Sequence, residues 1–246
     1  MARQKSSLGG RDRKNNELRK ISLKKNVNRY AEGSCLIKAG HTHVLCLASI
    51  EKELPAWRKE SGLGWVTAEY AMLPRATHSR SSRESIKGKP SSRSLEISRL
   101  IGRSLRSIVD FKKLGPHIIA LDCEVLQADG GTRCASITGA WVALAQACQK
   151  LLKSGAIQEW PLKDHVAAVS VGILHKNLLL DLDYEEDSRA EVDLNLILTG
   201  SGKIVEIQGT AEQNPFSFRQ ATQLFKLGEL GIKKLIQEQN KVMRLK

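Results

Sequence analysis

A strand, a glycine turn and a long amphipathic helix follow one another between residues 118 and 154, and this unit constrains the fold most. The apolar run of residues 118–126 predicts the strand, and ADGGTR at residues 128–133 predicts the turn. Residues 132–154 predict the helix, because apolar side chains recur on one helical face. These side chains are Ile137, Ala140, Trp141, Leu144, Cys148, Leu151 and Leu152. A helix with such a face covers a sheet or another helix.

The same order, strands and then a helix, occurs in both halves of the chain. In the first half we expect a hairpin at 34–51, a short strand at 68–73, an exposed basic loop at 77–90 and a helix at 95–110. In the second half we expect strands at 166–174 and 178–184, a hairpin of 192–198 with 203–208, and a final helix at 218–241. Two such units predict an α+β or α/β fold with helix-covered sheets. A length of 246 residues allows one large domain or two small ones.

Charge and cysteine content narrow the class of protein. The net charge of +13 attracts polyanions, of which nucleic acid comes first and an anionic membrane surface second. The longest uncharged apolar stretch, 166–174, is too short to span a bilayer, and no signal segment opens the chain. Five cysteines without a CxxC pair fit a reduced, cytoplasmic protein. Residues 1–10 are expected to form a mobile arm.

The turn at residues 128–133 has the features of an anion site. Gly130 and Gly131 let backbone N–H groups approach a ligand closely, and a helix N-terminus favours anions. Thr132 is expected to cap the helix and to offer its hydroxyl to phosphate, while Arg133 supplies a bidentate donor pair. The alternative is an ordinary capped turn with Arg133 in solvent.

A second helix start strengthens the anion-site interpretation. Arg93 precedes the helix expected at 95–110, where Ser94 is predicted to cap the first turn and Glu96 suits the positive end of the helix dipole. If both helix N-termini point into one cleft, Arg93 and Arg133 can hold a single phosphate between them.

Seven acidic residues fall within thirteen positions of this basic chain. They are Asp181, Asp183, Glu185, Glu186, Asp187, Glu191 and Asp193. Mg²⁺ prefers oxygen ligands and commonly takes one or two carboxylates together with substrate phosphates. A calcium loop starting at Asp181 is excluded, because its sixth position is Glu186 rather than glycine and its twelfth is Val192 rather than glutamate.

Two of these acids are the better candidates for a metal-binding or catalytic site. Glu185, Glu186 and Glu191 are expected to be solvated. Asp187 and Asp193 adjoin apolar strand segments and are the better candidates.

Cations concentrate between residues 75 and 106. Arg75 lies directly before the expected loop, and Arg80, Arg83, Lys87 and Lys89 lie on it. These cations can follow a nucleic-acid backbone or form an ordinary solvated surface. Arg99, Arg103 and Arg106 share a helical face, which favours a structural or interfacial role. The sequence has no GxxxxGK[ST], GxSxG or HExxH motif, so P-loop, serine hydrolase and zincin chemistry are not expected.

Several segments together resemble the ribonuclease PH family. They are MLPRAT (72–77), EISRLIGRSLRSIVD (96–110), LDCEVLQADGGTRCASITGA (121–140), VAAVSVG (166–172), DLDYEEDS (181–188) and VEIQGTAEQNPF (205–216). The resemblance implies an α+β fold of two β-α units, with mixed sheets packed against helices in a single domain. It implies a phosphorolytic 3′ to 5′ exoribonuclease that trims tRNA precursors with inorganic phosphate, releases nucleoside diphosphates, and forms a hexameric ring built as a trimer of dimers.

The resemblance also implies roles for individual residues. Arg93, Gly131, Thr132 and Arg133 correspond to a phosphate-binding set. Asp187 and Asp193 correspond to catalytic acids that hold a divalent cation, Mg²⁺ or alternatively Mn²⁺. Arg75, Arg80 and Arg83 correspond to an RNA-binding loop for tRNA and rRNA precursors.

The chain departs from the family pattern at Ser91 and Ser92, which stand where glycines are usual and put the local loop geometry in doubt. Two other functions stay open. One is a noncatalytic RNA-binding ring subunit, and the other is a hydrolytic nuclease that uses the same metal.

Overall fold

Two antiparallel-rich sheets and six helices make up the part of the chain described by a computed structural model, residues 11–51, 53–54 and 56–244. The arm predicted for residues 1–10 lies outside the described residues. The strands are β1 (Ile21–Lys25), β2 (Gly33–Ala39), β3 (Thr42–Glu51), β4 (Trp65–Met72), β5 (Ile118–Gln127), β6 (Val166–Leu174), β7 (Asn177–Leu180), β8 (Val192–Thr199) and β9 (Ile204–Ala211). The helices are α1 (Ala56–Lys59), α2 (Ser92–Ser107), α3 (Phe111–Leu114), α4 (Thr132–Lys153), α5 (Tyr184–Asp187) and α6 (Phe218–Met243).

The first sheet is mixed and the second is antiparallel throughout. The first has the order β1-β2-β3-β5-β4, in which only β4 and β5 run parallel. A parallel pair needs a crossover connection, and α2 supplies it. The second sheet has the order β7-β6-β8-β9. Because β4 and β5 end at the same edge, the segments after Met72 and Gln127 leave the sheet side by side. The predicted α+β class with mixed sheets against helices is confirmed.

Helix α4 packs between the two sheets. It contacts β2 and β3 on one side and β6 on the other, and most of its residues are buried. Trp141 at its centre is 1% exposed. A helix apolar on all sides belongs inside a core. The largest cluster of buried residues accordingly takes in Val166 and Ile197 from the second half as well as the first sheet.

Both predicted helix caps were wrong in detail. Helix α2 begins at Ser92, and Ser91 caps it by accepting a hydrogen bond from the Ser94 backbone N–H. The Ser94 hydroxyl instead donates to Glu84 Oε1 at 2.9 Å. The N-cap of α4 is Gly131, at a left-handed φ of 65° with no side-chain cap, and the Thr132 hydroxyl bonds the Tyr70 hydroxyl at 2.9 Å. Both hydroxyls therefore bond side chains from other segments and do not cap their helices.

Two residues of the acidic segment, Asp181 and Glu186, form buried ion pairs with arginines. Strand β7 ends at Leu180 rather than residue 184, because Asp181 adopts a left-handed φ of 59°. The Asp181 carboxylate accepts from Arg19 Nη2 at 2.7 Å. Glu186 is 1% exposed and accepts from Arg11 Nη1 at 2.7 Å and from Arg13 Nη2 at 3.0 Å. The expectation that Glu186 is solvated was wrong, because arginines from the N-terminal segment bury it.

Arg19 also reaches the turn before α4, and so it joins the two halves of the molecule. Its Nη1 donates to the Asp129 carbonyl at 2.5 Å. Gly130 packs so tightly on the second half that a Cβ there would lie 2.6 Å from the Asp183 carbonyl carbon. The Thr42 hydroxyl donates to the Gly130 carbonyl at 2.6 Å. The turn is therefore fixed from both sides.

All five cysteines are buried, and none of them forms a disulfide. None of the helices in the described part of the chain combines the length and apolar character that crossing a bilayer requires.

Replacing Asp181 with Asn should destabilise the fold strongly. Burial alone would raise the pKa of Asp181, but the charge and hydrogen bonds of Arg19 hold it below its usual range. Losing one partner of a buried ion pair costs about 3–5 kcal/mol, and urea unfolding at pH 7 measures it. Because the folded pKa is depressed, the wild-type advantage exists above the unfolded pKa and shrinks as pH falls through the folded pKa.

The matched control is Glu159→Gln, which removes an exposed partner of Lys113. It should leave the unfolding midpoint unchanged. Equal destabilisation by both variants would contradict the structural role of Asp181.

Candidate active site

A cleft of about 400 Å³ lies where the two halves meet at the N-terminus of α4. The starts of α2 and α4, the end of α5 and the start of β8 all contribute to it. Its lining consists of Met72, Thr77, Arg93, Ala128, Gly130, Gly131, Thr132, Arg133, Ser170, Tyr184, Asp187, Asp193 and Asn195. The residues predicted for phosphate and for catalysis therefore all line one cavity.

One wall of the cleft suits an anion. Gly130 and Gly131 have φ values of 71° and 65°, a conformation that favours glycine. The first N–H groups of α4 have no intrahelical partners, and the helix dipole adds positive potential at that end. The Thr132 hydroxyl is oriented by Tyr70, and burial raises the pKa of the Tyr70 phenol, which keeps it protonated. This turn therefore presents oriented donors to a bound anion.

Arg93 and Arg133 extend the anion wall from two different helices. Arg93 lies in the first turn of α2 rather than before the helix, because the helix starts earlier than predicted. Ser91 and Ser92 make a regular capped start, so the missing glycines do not disrupt this turn. Arg133 Nη1 donates to Gln208 Oε1 at 2.6 Å and to Glu96 Oε1 at 3.4 Å.

Another part of the lining, the acid wall, carries two partly buried carboxylates, Asp187 and Asp193. Asp187 ends α5, whose start is fixed by a capping box between Asp183 and Glu186. Asp193 lies at the start of β8, and Asn195 Nδ2 donates to its Oδ2 at 3.4 Å. Burial raises the pKa of Asp187, against the opposing charges of Arg93 and Arg133. Burial and then the charge of Asp187 raise the pKa of Asp193 to about 6.

The aspartate pair has the chemistry to hold a hard divalent cation. Asp193 Oδ1 is buried and has no hydrogen-bond partner, which leaves an oxygen available as a ligand. Within the described residues, no group of three or more His, Cys, Asp or Glu side chains is arranged for a metal. Two carboxylates fit Mg²⁺ when substrate oxygens and water complete the shell. The site therefore suits an ion that arrives with a phosphate-bearing substrate.

Of the three arginines predicted to bind RNA, Arg75 lines a groove beside the cleft, and Arg80 and Arg83 do not. A groove of about 730 Å³ adjoins the cleft, and Thr77, Ala128 and Tyr184 line both cavities. Arg75 lines this groove and donates to the His78 carbonyl at 2.5 Å. Arg80 and Arg83 lie farther along residues 77–90, an exposed segment with one short 3₁₀ turn, Glu84–Lys87.

Sequence reasoning missed several residues of the cleft. Asn195 was detectable, because it follows Asp193 by two positions in a strand and therefore faces the same side. Tyr184 is 56% exposed at the junction of cleft and groove, and only its place in the acidic segment pointed to it. Ser170 of the cleft and Gln208, which contacts Arg133 of the cleft, gave no local signal, since their partners lie in distant parts of the chain.

Family models match most of the chain. The 3′ exoribonuclease family, domain 1, matches residues 17–149, and domain 2 of the same family matches residues 164–234. The chain belongs to the 3′ exoribonuclease family. The boundary between the matches falls between the two sheets, so each half of the cleft comes from one family domain.

Curated relatives in this family confirm the resemblance to ribonuclease PH. The ribonuclease PH of Methylocella silvestris is 56% identical over 223 residues, which cover 91% of this chain and 94% of the relative. The ribonuclease PH of Methylobacterium sp. (strain 4-46) is 58% identical over 221 residues, which cover 89% and 93%.

Two solved structures share the fold of this chain. Rice (Oryza sativa) Rrp46 superposes with a TM-score of 0.75 at 17% identity, over 94% of this chain and 98% of that chain. The Archaeoglobus fulgidus exosome with RNA bound to the active site gives 0.78 at 23% identity, over 92% and 90%. These matches confirm the ribonuclease PH-type fold predicted from the sequence.

Asp193→Asn should stabilise the protein above pH 6 in metal-free buffer. The folded state binds the Asp193 proton more tightly than the unfolded state, whose pKa is near 3.8. Ionising this buried acid therefore costs stability as pH rises from about 4 to 6, by about 1–3 kcal/mol. Urea unfolding with EDTA should show the variant more stable at pH 7.5 and equal to wild type below pH 4.

Asp12→Asn provides the comparison, since Asp12 is exposed. If Asp193→Asn instead loses stability at pH 7.5, the ionised carboxylate of Asp193 makes interactions that stabilise the folded protein.

Proposed function

We propose that this chain is a phosphorolytic 3′ to 5′ exoribonuclease that trims tRNA precursors and uses inorganic phosphate as its co-substrate. The observation that carries the proposal is the shared cleft, which the α4 N-terminus and two arginines line together with Asp187 and Asp193. An anion wall and two carboxylates in one cleft suit phosphoryl transfer. The names of the curated relatives support the same activity.

In this mechanism Arg93, Thr132, Arg133 and the N–H at Gly131 bind and orient inorganic phosphate. A phosphate oxygen attacks the phosphorus of the last phosphodiester, and a new P–O bond forms as the bond to the preceding 3′ oxygen breaks. The products are a nucleoside diphosphate and an RNA shortened by one nucleotide with a free 3′ hydroxyl. Catalysis here consists mainly of positioning and charge stabilisation. The reverse reaction adds nucleotides to RNA 3′ ends.

The aspartates serve the leaving side of the reaction. The raised pKa of Asp193, about 6, lets it hold a proton that the departing 3′ oxygen can accept. Its alternative role is to hold the divalent cation together with Asp187. Mg²⁺, or Mn²⁺ in its place, would supply positive charge for the phosphate oxygens when bound.

RNA and further copies of the chain are the proposed partners. Arg75, Arg80 and Arg83 bind the RNA backbone of tRNA or rRNA precursors. The position of Arg75 in the groove beside the cleft supports this role. We propose a single domain that assembles as a hexameric ring, a trimer of dimers, in the cytoplasm. A ring multiplies weak contacts from individual basic loops.

The two rival functions make different demands on the site. A noncatalytic RNA-binding subunit needs the basic loop alone, so the raised pKa values of Asp187 and Asp193 argue against it. A hydrolytic nuclease needs the aspartates but not an anion wall for orthophosphate.

The nature of the products tests the proposed reaction. Incubating the protein with a tRNA precursor and Mg²⁺ should give nucleoside diphosphates only when inorganic phosphate is present, since phosphate is the nucleophile. Chromatography of the released nucleotides measures this. Nucleoside monophosphates at a rate independent of phosphate would establish hydrolysis instead.

Asp187→Asn should lower turnover by about two orders of magnitude or more, because an amide does not ligate the divalent cation as a carboxylate does. RNA affinity, measured by filter binding, should stay close to wild type. Glu191→Gln, at an acid bonded to the Lys176 N–H, should keep normal turnover. Normal turnover in Asp187→Asn would remove this residue from the mechanism.

A further inference from the structure

Gln208 on β9 lies between one guanidinium and two carboxylates. Its Oε1 accepts from Arg133 Nη1 at 2.6 Å. Its Nε2 donates to Glu96 Oε1 at 3.0 Å and to Glu206 Oε1 at 3.2 Å. The partners fix the amide orientation, because a guanidinium only donates and a carboxylate only accepts. The neutral oxygen of Gln208 therefore faces the arginine of the anion wall.

This arrangement follows from the spacing of residues on two elements. Glu206 and Gln208 are two positions apart on β9 and point to one side. Glu96 and Arg103 are seven positions apart on α2, about two helical turns, and share a face. Arg103 closes the far end with a bidentate pair to Glu206, at 2.6 and 2.8 Å. A continuous chain of contacts thus runs from Arg103 through Glu206 and Gln208 to Arg133.

These contacts determine how far neighbouring carboxylates compensate the positive charge of Arg133. Glu206 is already paired with Arg103, and Gln208 separates it from Arg133. Glu96 touches Arg133 only at 3.4 Å and is 44% exposed, so solvent screens this pair. A carboxylate at position 208 would form a charge-assisted bond to Arg133 and compete directly with a phosphate. An amide orients the same guanidinium without neutralising it.

We propose that Gln208 is a positioning residue of the phosphate site, which holds the Arg133 guanidinium at the cleft and leaves its charge for inorganic phosphate. The inference rests on the proposed function and adds a residue to it. Gln208 pairs with Asn195 in the ladder between β8 and β9, so the same strand pairing sets its register against the acid wall.

The test is Gln208→Glu, which keeps the shape of the side chain and adds a negative charge. We expect KM for inorganic phosphate to rise about ten-fold, with KM for RNA and kcat at saturating phosphate within about twofold of wild type. Gln158→Glu makes the same chemical change on an exposed residue beyond the opposite end of α4, and it should leave KM for phosphate unchanged. A residue with a purely structural role would not produce a defect specific to phosphate.

Two further variants make the test independent of how well Gln208→Glu folds. Adding Glu96→Gln to Gln208→Glu removes one carboxylate beside Arg133 and should lower KM for phosphate by about two- to three-fold from the value of Gln208→Glu. Glu96→Gln alone should lower KM for phosphate by about two- to three-fold, because Arg133 loses its competing carboxylate. The inference is overturned if Gln208→Glu leaves KM for phosphate at the wild-type value, or if KM for RNA rises in parallel.

The same measurements separate this inference from the proposed function. If the wild-type protein degrades RNA equally well without phosphate, phosphorolysis itself is wrong. If the wild-type rate saturates with phosphate and Gln208→Glu does not shift that saturation, only the role of Gln208 is wrong.

Discussion

The buried pair of Arg19 and Asp181 holds the two halves of the molecule together at the point where the cleft opens. Arg19 contacts Asp181 from one half and the Asp129 carbonyl from the other. One residue away, Gly130 lies against the Asp183 backbone with no room for a side chain. The anion wall and the acid wall belong to different family domains, so their separation depends on this junction.

The arginines of the N-terminal segment divide the acidic run into two kinds of carboxylate. Asp181 and Glu186 are buried with arginine partners, and they serve the fold. Asp187 and Asp193 are only partly buried, and Arg93 and Arg133 line the same cleft without an ion pair to either aspartate. Burial without an ion pair raises the pKa of both, a perturbation that is typical of functional sites.

The sequence predicted β2 to β9, the three long helices and the family fold, because their apolar periodicity is a local property. It missed β1 (Ile21–Lys25), a short strand with little apolar periodicity. It also named arginines, glycines and aspartates that the structure brings to one cleft, although their chemical roles stay predictions. It could not predict that Ser91 caps α2, that Thr132 bonds Tyr70, or that Glu186 is buried. Each of these depends on a partner distant in sequence or on competition between neighbouring hydroxyls. Gln208 escaped notice for the same reason, since its partners lie on α2 and α4.

The left-handed turn at Gly130 and Gly131 has a consequence for the thermodynamics of ligand capture. The turn is held by Arg19, by the Thr42 hydroxyl and by the packed Asp183 backbone before any ligand arrives. The entropy of ordering this loop is therefore lost once, when the chain folds, and not at each encounter. An incoming anion meets dipoles that need no reorganisation, so its affinity reflects desolvation and charge rather than a conformational search.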